Sequence, residues 1–94
     1  MKHHILANFS ENVGDRSALL LEIQKLFASG AEIEGVHSYT VLPNCIDRAN
    51  RYDVMIIVEM DKNALPNWDG SKLHHDWKEQ FGTFLANKAI FDCE

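Results

Sequence analysis

An α+β fold with the element order β, α, β, β, α, β is predicted by three features of the sequence. Residues 52–60 are apolar in both alternating sets, with Tyr52, Val54, Ile56, Val58 and Met60 on one side and Met55 and Ile57 between Asp53 and Glu59 on the other. A strand of that kind asks for cover on both faces. Residues 15–29 and 71–88 gather apolar side chains into one stripe at about 100° per residue, as amphipathic helices do. Three shorter runs, 2–9, 36–42 and 89–93, read as the remaining strands.

In the opening strand, His3, Ile5, Ala7 and Phe9 share one face and His4, Leu6 and Asn8 the other. The first helix has Asp15 or Ser17 as N-cap and Gly30 to stop it. Leu19, Leu20, Ile23, Leu26 and Phe27 form its stripe, and Leu21 lies outside it. Pro43 ends the second strand, and residues 43–51 form a polar loop into the central one. Residues 61–65 make one helical turn that Pro66 is expected to stop, and Asn67, Asp69 and Gly70 make a turn. Ser71 then caps a helix running to about Lys88. This order is the ferredoxin-like arrangement: a four-stranded antiparallel sheet with both helices on one face.

A length of 94 residues is read as one domain, 1–94, with a modest core. Its mean hydropathy of -0.24 and the lack of an apolar run of about 20 residues imply a soluble protein without a membrane span. A net charge of -5 with no basic cluster argues against nucleic acid and anionic membranes as partners. Cys45 and Cys93 sit in no paired motif and no secretory signal is visible, so free thiols in the cytoplasm are expected.

Two helices cover one face of the sheet. Met55 and Ile57 then point to the other, joined by Leu6, Phe91 and Cys93. Leaving Met55 and Ile57 in water forgoes about 1.5 to 3 kcal/mol each, so a homodimer paired through the sheet face is expected. A monomer with a partly apolar face is the plainer alternative.

On the last helix, Leu73, His74, Trp77, Phe81, Phe84, Leu85 and Lys88 fall within an arc of about 120°. His74 thus lies in the buried stripe, and His75 falls on the solvent side with Glu79. His3 shares the parity of Ile5, so both imidazoles are aimed at the space between sheet and helices. Trp68, Ser71, Trp77, Phe81, Ile5, Val54 and Ile56 are the expected lining of a small apolar pocket there, with the Tyr52 hydroxyl converging on it. A buried histidine also serves as a hydrogen-bonded core residue, and both readings stay open. The histidine pairs lack the carboxylate or cysteine spacing of a zinc site, so no metal is expected.

Lys2 to Leu6, Ile33 to Val36, Asn50 to Asp53, Val58 to Asp61, Asn63 to Leu65 and Lys88 to Asp92, in that order and at that spacing, resemble the stress-responsive α/β-barrel (Dabb) family. The resemblance implies a ferredoxin-like subunit pairing through its sheet into a dimeric α/β barrel. One branch of the family resembles plant polyketide cyclases, which close a ring by aldol condensation between sheet and helices without metal or organic cofactor. That branch carries Tyr, two residues, His-Pro, one residue, His, two residues, Phe at the helix entry. Here Trp68 stands at the tyrosine, Ser71 at the first histidine, His74 at the second and Trp77 at the phenylalanine, and His3 matches the first-strand histidine. The resemblance thus gives His74 as base with His3 assisting, and replaces a phenol by an indole N–H.

Two functions fit: a dimer binding a hydrophobic or aromatic oxygenated molecule, with cyclase-like chemistry, or a non-catalytic stress-associated dimer whose histidines satisfy buried hydrogen bonds. A third class, the haem-degrading and antibiotic-biosynthesis monooxygenases, would use Asn8, Trp68 and His74 or His75. Against it, the interval from Trp68 to those histidines is too short, and Asn8 has opposite parity to His3.

Overall fold

The computed structural model describes residues 1–94. It folds as β1 (Lys2–Phe9), α1 (Arg16–Phe27), β2 (Val36–Pro43), β3 (Val54–Met60), α2 (Leu65–Asp69), α3 (Lys72–Phe81) and β4 (Leu85–Cys93). The strands form one sheet in the order β2-β3-β1-β4, and every neighbouring pair is antiparallel. This is the ferredoxin-like α+β architecture.

Register decides which residues reach the core. Ile5 lies opposite Ile56 on one side and Ile90 on the other, and Leu6 lies opposite Met55 and Ala89. His3, Ile5, Ala7 and Phe9 therefore share a face with Val54, Ile56, Val58 and Met60, and all eight are buried. Leu19, Ile23 and Phe27 of α1, Trp68 of α2, and Leu73, Trp77 and Phe81 of α3 close over them in one hydrophobic core. On the reverse face, Leu6, Met55 and Ile57 are half-buried, and Leu42 and Phe91 are exposed. No element of the chain packs on that side.

Local chemistry sets the helix ends. The carboxylate of Asp15 accepts a hydrogen bond from the Ala18 N–H at 3.0 Å, so Asp15 is the N-cap of α1. Only Leu19, Ile23 and Phe27 of its stripe are fully buried, and Leu20 and Leu26 border the core. Ser71 caps α3 by accepting from the His74 N–H at 3.1 Å.

Three boundaries differ from the sequence expectation. β3 begins at Val54, because the Asp53 carboxylate accepts from the Phe9 N–H at 2.8 Å and turns the chain there; Tyr52 lies outside the strand. Pro66 does not stop a helix. It occupies the first turn of α2, where its missing N–H has no partner to lose, so Asn67 and Asp69 are helical. The last helix ends at Phe81 rather than Lys88. Gly82 and Thr83 are poor helix formers, and residues 82–84 make a 3-10 turn. Leu85 and Lys88 already pair with Phe9 and Ala7 of β1, so they are strand residues and leave the helical arc.

The turn into β2 passes Gly35 at φ 82°, where Asp61 N–H donates to its carbonyl at 2.8 Å. A Cβ at this position would lie 2.6 Å from the Cβ of Ala64. Gly30, at φ 75°, has nothing within 4 Å. Gly35→Ala is expected to destabilise the fold by about 2 to 4 kcal/mol, and Gly30→Ala by about 1 kcal/mol. Thermal or urea melts of the two variants check the ranking, and equal losses would contradict it.

Candidate functional site

His3 and Asp92 are ladder partners across β1 and β4 and point to the helix side. His3 is 6% exposed, and its Nδ1 donates to the Asp92 carboxylate at 2.5 Å. With Nδ1 committed in this way, the neutral ring presents Nε2 as its acceptor. Asp92 is a residue that the sequence reasoning missed. The available signal was positional, since antiparallel pairing brings the end of the closing strand beside the start of the opening one.

Trp68 is the centre of the cluster, with no exposed surface. Its ring centroid lies 6.3 Å from His3, 5.1 Å from His74, 6.3 Å from Phe27 and 6.4 Å from Tyr39. The indole N–H is buried and has no hydrogen-bond acceptor. An orphaned buried donor of this kind costs about 1 to 3 kcal/mol.

His74 sits half-buried at the N-terminal turn of α3. Its Nδ1 is 2.9 Å from the carbonyl oxygen of Asp69, and a carbonyl only accepts, so the proton is on Nδ1 and Nε2 carries the lone pair of the neutral ring. Ser71 Oγ donates to the Trp68 carbonyl at 2.7 Å while capping the helix, which ties α2 to α3 and fixes His74 beside Trp68. His75 is on the far side, 3.8 Å from Glu79 and exposed.

The structure thus brings His3, Trp68, Ser71 and His74 together and adds Asp92. It does not bring Tyr52, which is exposed at the opposite end of β3. The remaining expected lining residues, Ile5, Val54, Ile56, Trp77 and Phe81, are each at most 5% exposed and belong to the packed core. Trp77 lies between Phe27, edge-on at a centroid distance of 5.7 Å, and Phe81, tilted at 5.6 Å. The two tryptophans fill the volume between sheet and helices. Clefts of about 560 and 300 Å³ open elsewhere, one beside Leu42 and Tyr52 on the reverse face and one between Arg16 and Cys45. Neither is bordered by His3, Trp68 or His74.

Asn8 alternates to the reverse face of β1, away from Trp68, so the three residues of a haem-degrading site do not converge. No group of three or more His, Cys, Asp or Glu side chains is arranged to hold a metal ion. No helix is long and apolar enough to cross a membrane.

Tyr39 borders the same cluster. Its hydroxyl donates to the Ala31 carbonyl at 3.0 Å, and burial raises its pKa above the ordinary 10.0.

No protein-family model matches the chain, and no curated protein does. Solved structures do. A dimeric protein of unknown function with a ferredoxin-like fold from Bacteroides fragilis superposes with a TM-score of 0.81 at 13% identity, over 99% of this chain and 93% of that one. A dimeric ferredoxin-like protein of unknown function from Thermobifida fusca gives 0.76 at 17% identity, over 96% and 85%. A Dabb family protein with a ferredoxin-like fold from Mesorhizobium loti gives 0.71 at 14% identity, over 99% and 93%. At these identities the likeness shows the fold, and the Dabb resemblance carried by the sequence has a structural counterpart.

Two outcomes follow from this geometry. Asp92→Ala strips the buried His3 of its partner and is expected to cost about 1 to 3 kcal/mol in a urea melt, whereas an unchanged midpoint would mean that the pair contributes nothing. The raised pKa of Tyr39 means that the folded chain holds the phenol proton more tightly than the unfolded chain. That contribution is complete below pH 10.0 and is lost as pH rises through the raised value, so Tyr39→Phe should show a shallower loss of stability as pH rises above 10.0.

Proposed function

We propose that this protein is a homodimer, paired through the open sheet face, that offers a hydrophobic or aromatic oxygenated small molecule one polar site per subunit at His3, Trp68 and His74. The observation that carries the reading is the buried Trp68 N–H without an acceptor, set between two imidazoles whose Nδ1 protons are already committed. A carbonyl or hydroxyl oxygen of a ligand is the partner such a donor lacks. A neutral imidazole Nε2 beside it suits removal of a proton next to that carbonyl, the first step of an aldol ring closure. The proton passes to Nε2, the enolate attacks a second carbonyl of the same molecule, and the alkoxide formed takes a proton back. No electrons enter or leave.

The dimer reading rests on the apolar reverse face and on the two dimeric ferredoxin-like neighbours. The free thiols of Cys45 and Cys93 accord with a cytoplasmic setting, and the Dabb resemblance with a stress-associated role.

A second reading is favoured by one specific observation. Trp68 and Trp77 are 0% and 2% exposed, so the interior as it stands is a filled core. In that reading the dimer is non-catalytic and the histidines only satisfy the Asp92 carboxylate and the Asp69 carbonyl.

Light scattering at micromolar concentration is expected to give about twice the 10.7 kDa chain mass, and the single-chain mass would remove the dimer. Benzoylacetone, an aromatic diketone, serves as the ligand probe through tryptophan quenching and exchange of its acidic C–H with deuterium. Saturable quenching and accelerated exchange, both lost in His74→Ala at unchanged melting temperature, is the result expected. No quenching in the unmodified protein and a lower melting temperature in His74→Ala would favour the filled, non-catalytic dimer.

A further inference from the structure

β4 is an edge of the sheet, so one side of its backbone has no strand beside it. The ladder identifies the unpaired residues. The Met1 and Ala7 carbonyls accept from the Met60 and Asp53 N–H groups, so odd-numbered residues of β1 turn their backbone towards β3 and even-numbered ones towards β4. Lys2, His4, Leu6 and Asn8 are matched with Cys93, Phe91, Ala89 and Asn87. Lys88, Ile90 and Asp92 therefore direct their N–H and C=O groups outward, away from the sheet.

The two edges differ in how they resist a further strand. β2 is interrupted by a register shift between Val36 and Ser38 and ends on Pro43, and both features spoil pairing. β4 has neither from Asn87 to Cys93, and it exposes Ile90 (57%) and Phe91 (62%) on opposite faces. An edge in that condition accepts another strand.

β4 is also complementary to itself. A two-fold axis perpendicular to the sheet runs two β4 strands antiparallel and keeps both sets of helices on one side, so facing residues share parity. Centred on Ile90, it sets Lys88 opposite Asp92 twice, Ile90 opposite Ile90, and Phe91 opposite Ala89, whose small side chain leaves room for the ring. The outward backbone groups then exchange about six main-chain hydrogen bonds. A centre on Ala89 sets Lys88 opposite Ile90, and one on Phe91 sets Asp92 opposite Ile90; each leaves a charge against an apolar side chain. Lys88 is exposed and makes no ion pair in its own chain.

We infer that a second copy of this chain adds to the β4 edge in this register and continues the sheet into its own. His3, Asp92 and the partner subunit's Lys88 then stand in one row on the helix side, so the copy contributes a cation to the carboxylate that holds His3. The contact is separate from the open face and joins two chains, or two dimers, at their edges. A strand pair is small beside a standard interface, so this association is weak and belongs at protein concentrations of about 0.1 to 1 mM.

Amide hydrogen exchange of the unmodified protein tests the contact. Between about 20 µM and 1 mM, exchange at Lys88, Ile90 and Asp92 should slow about tenfold, with no change at the outward amides of β2. Ile90→Cys in a Cys45→Ser, Cys93→Ser background tests the register. Facing residues of a hydrogen-bonded antiparallel pair lie about 5.5 Å apart at Cα, within disulfide range, and the two-fold sets residue 90 against itself. Air oxidation at about 0.5 mM should join two chains about tenfold faster than in Ala89→Cys of the same background; adding Lys88→Glu should slow the reaction about tenfold, and adding Lys88→Arg should leave it unchanged. Exchange independent of concentration overturns the edge contact. Slowed exchange with equal oxidation rates at positions 89 and 90 overturns the register. Neither result bears on the open face, whose pairing is read from the mass at micromolar concentration.

Discussion

The structure depends on one constraint, the two-sided apolarity of β3. A strand exposes alternate residues to opposite faces, so Val54, Ile56, Val58 and Met60 cannot be buried without turning Met55 and Ile57 the other way. α1, α2 and α3 all pack on the first set, and the chain has no further element for the second. Neighbouring strands inherit the same division through the ladder. Ile5 and Val41 follow Ile56 to the helix side, and Leu6 and Leu42 follow Met55 to the reverse. The unpaired apolar face is thus a consequence of register rather than of any single residue.

The same division explains the candidate site. His3 has the parity of Ile5, so it is carried under the helices, where an imidazole needs a partner, and β4 supplies Asp92 at the matching ladder position. α2 is short because its neighbours at both ends are turns, yet it places the largest side chain of the core, Trp68, between His3 and His74. Bulk and polarity compete at that point. The indole fills the volume and leaves its own N–H without an acceptor, a local conflict of the kind found where function or strain is held in a fold.

Several features were legible in the residues alone. The element order along the chain, the first helix with Asp15 as one of its two cap candidates, the Ser71 cap and the parity of His3 all follow from period-two or period-3.6 patterning and from short side chains that reach their own backbone. The misplaced boundaries share a cause. Leu85 and Lys88 continue the helical arc on a wheel, but the free edge of β1 offers their backbone ladder hydrogen bonds that a wheel does not represent. Pro66 reads as a terminator in sequence and acts as a first-turn residue in space, where α2 follows directly on the 3-10 turn Lys62–Ala64 and the ring's fixed φ suits a helix start. Tyr52 continues the alternation of the central strand, but Asp53 is held by Phe9, a residue 44 positions away.

By itself, the sequence determined the fold class, the faces on which the residues of β1 and β3 lie and the need for cover on the reverse of the sheet, because these follow from periodicity along the chain. Only the tertiary structure decided that Asp92 partners His3, that Trp68 and Trp77 fill the space around His74 and that Tyr52 leaves it. Those outcomes depend on side-chain volumes and on pairings between residues far apart in the chain, and spacing along one chain carries no information about how much room is left when two elements close on each other.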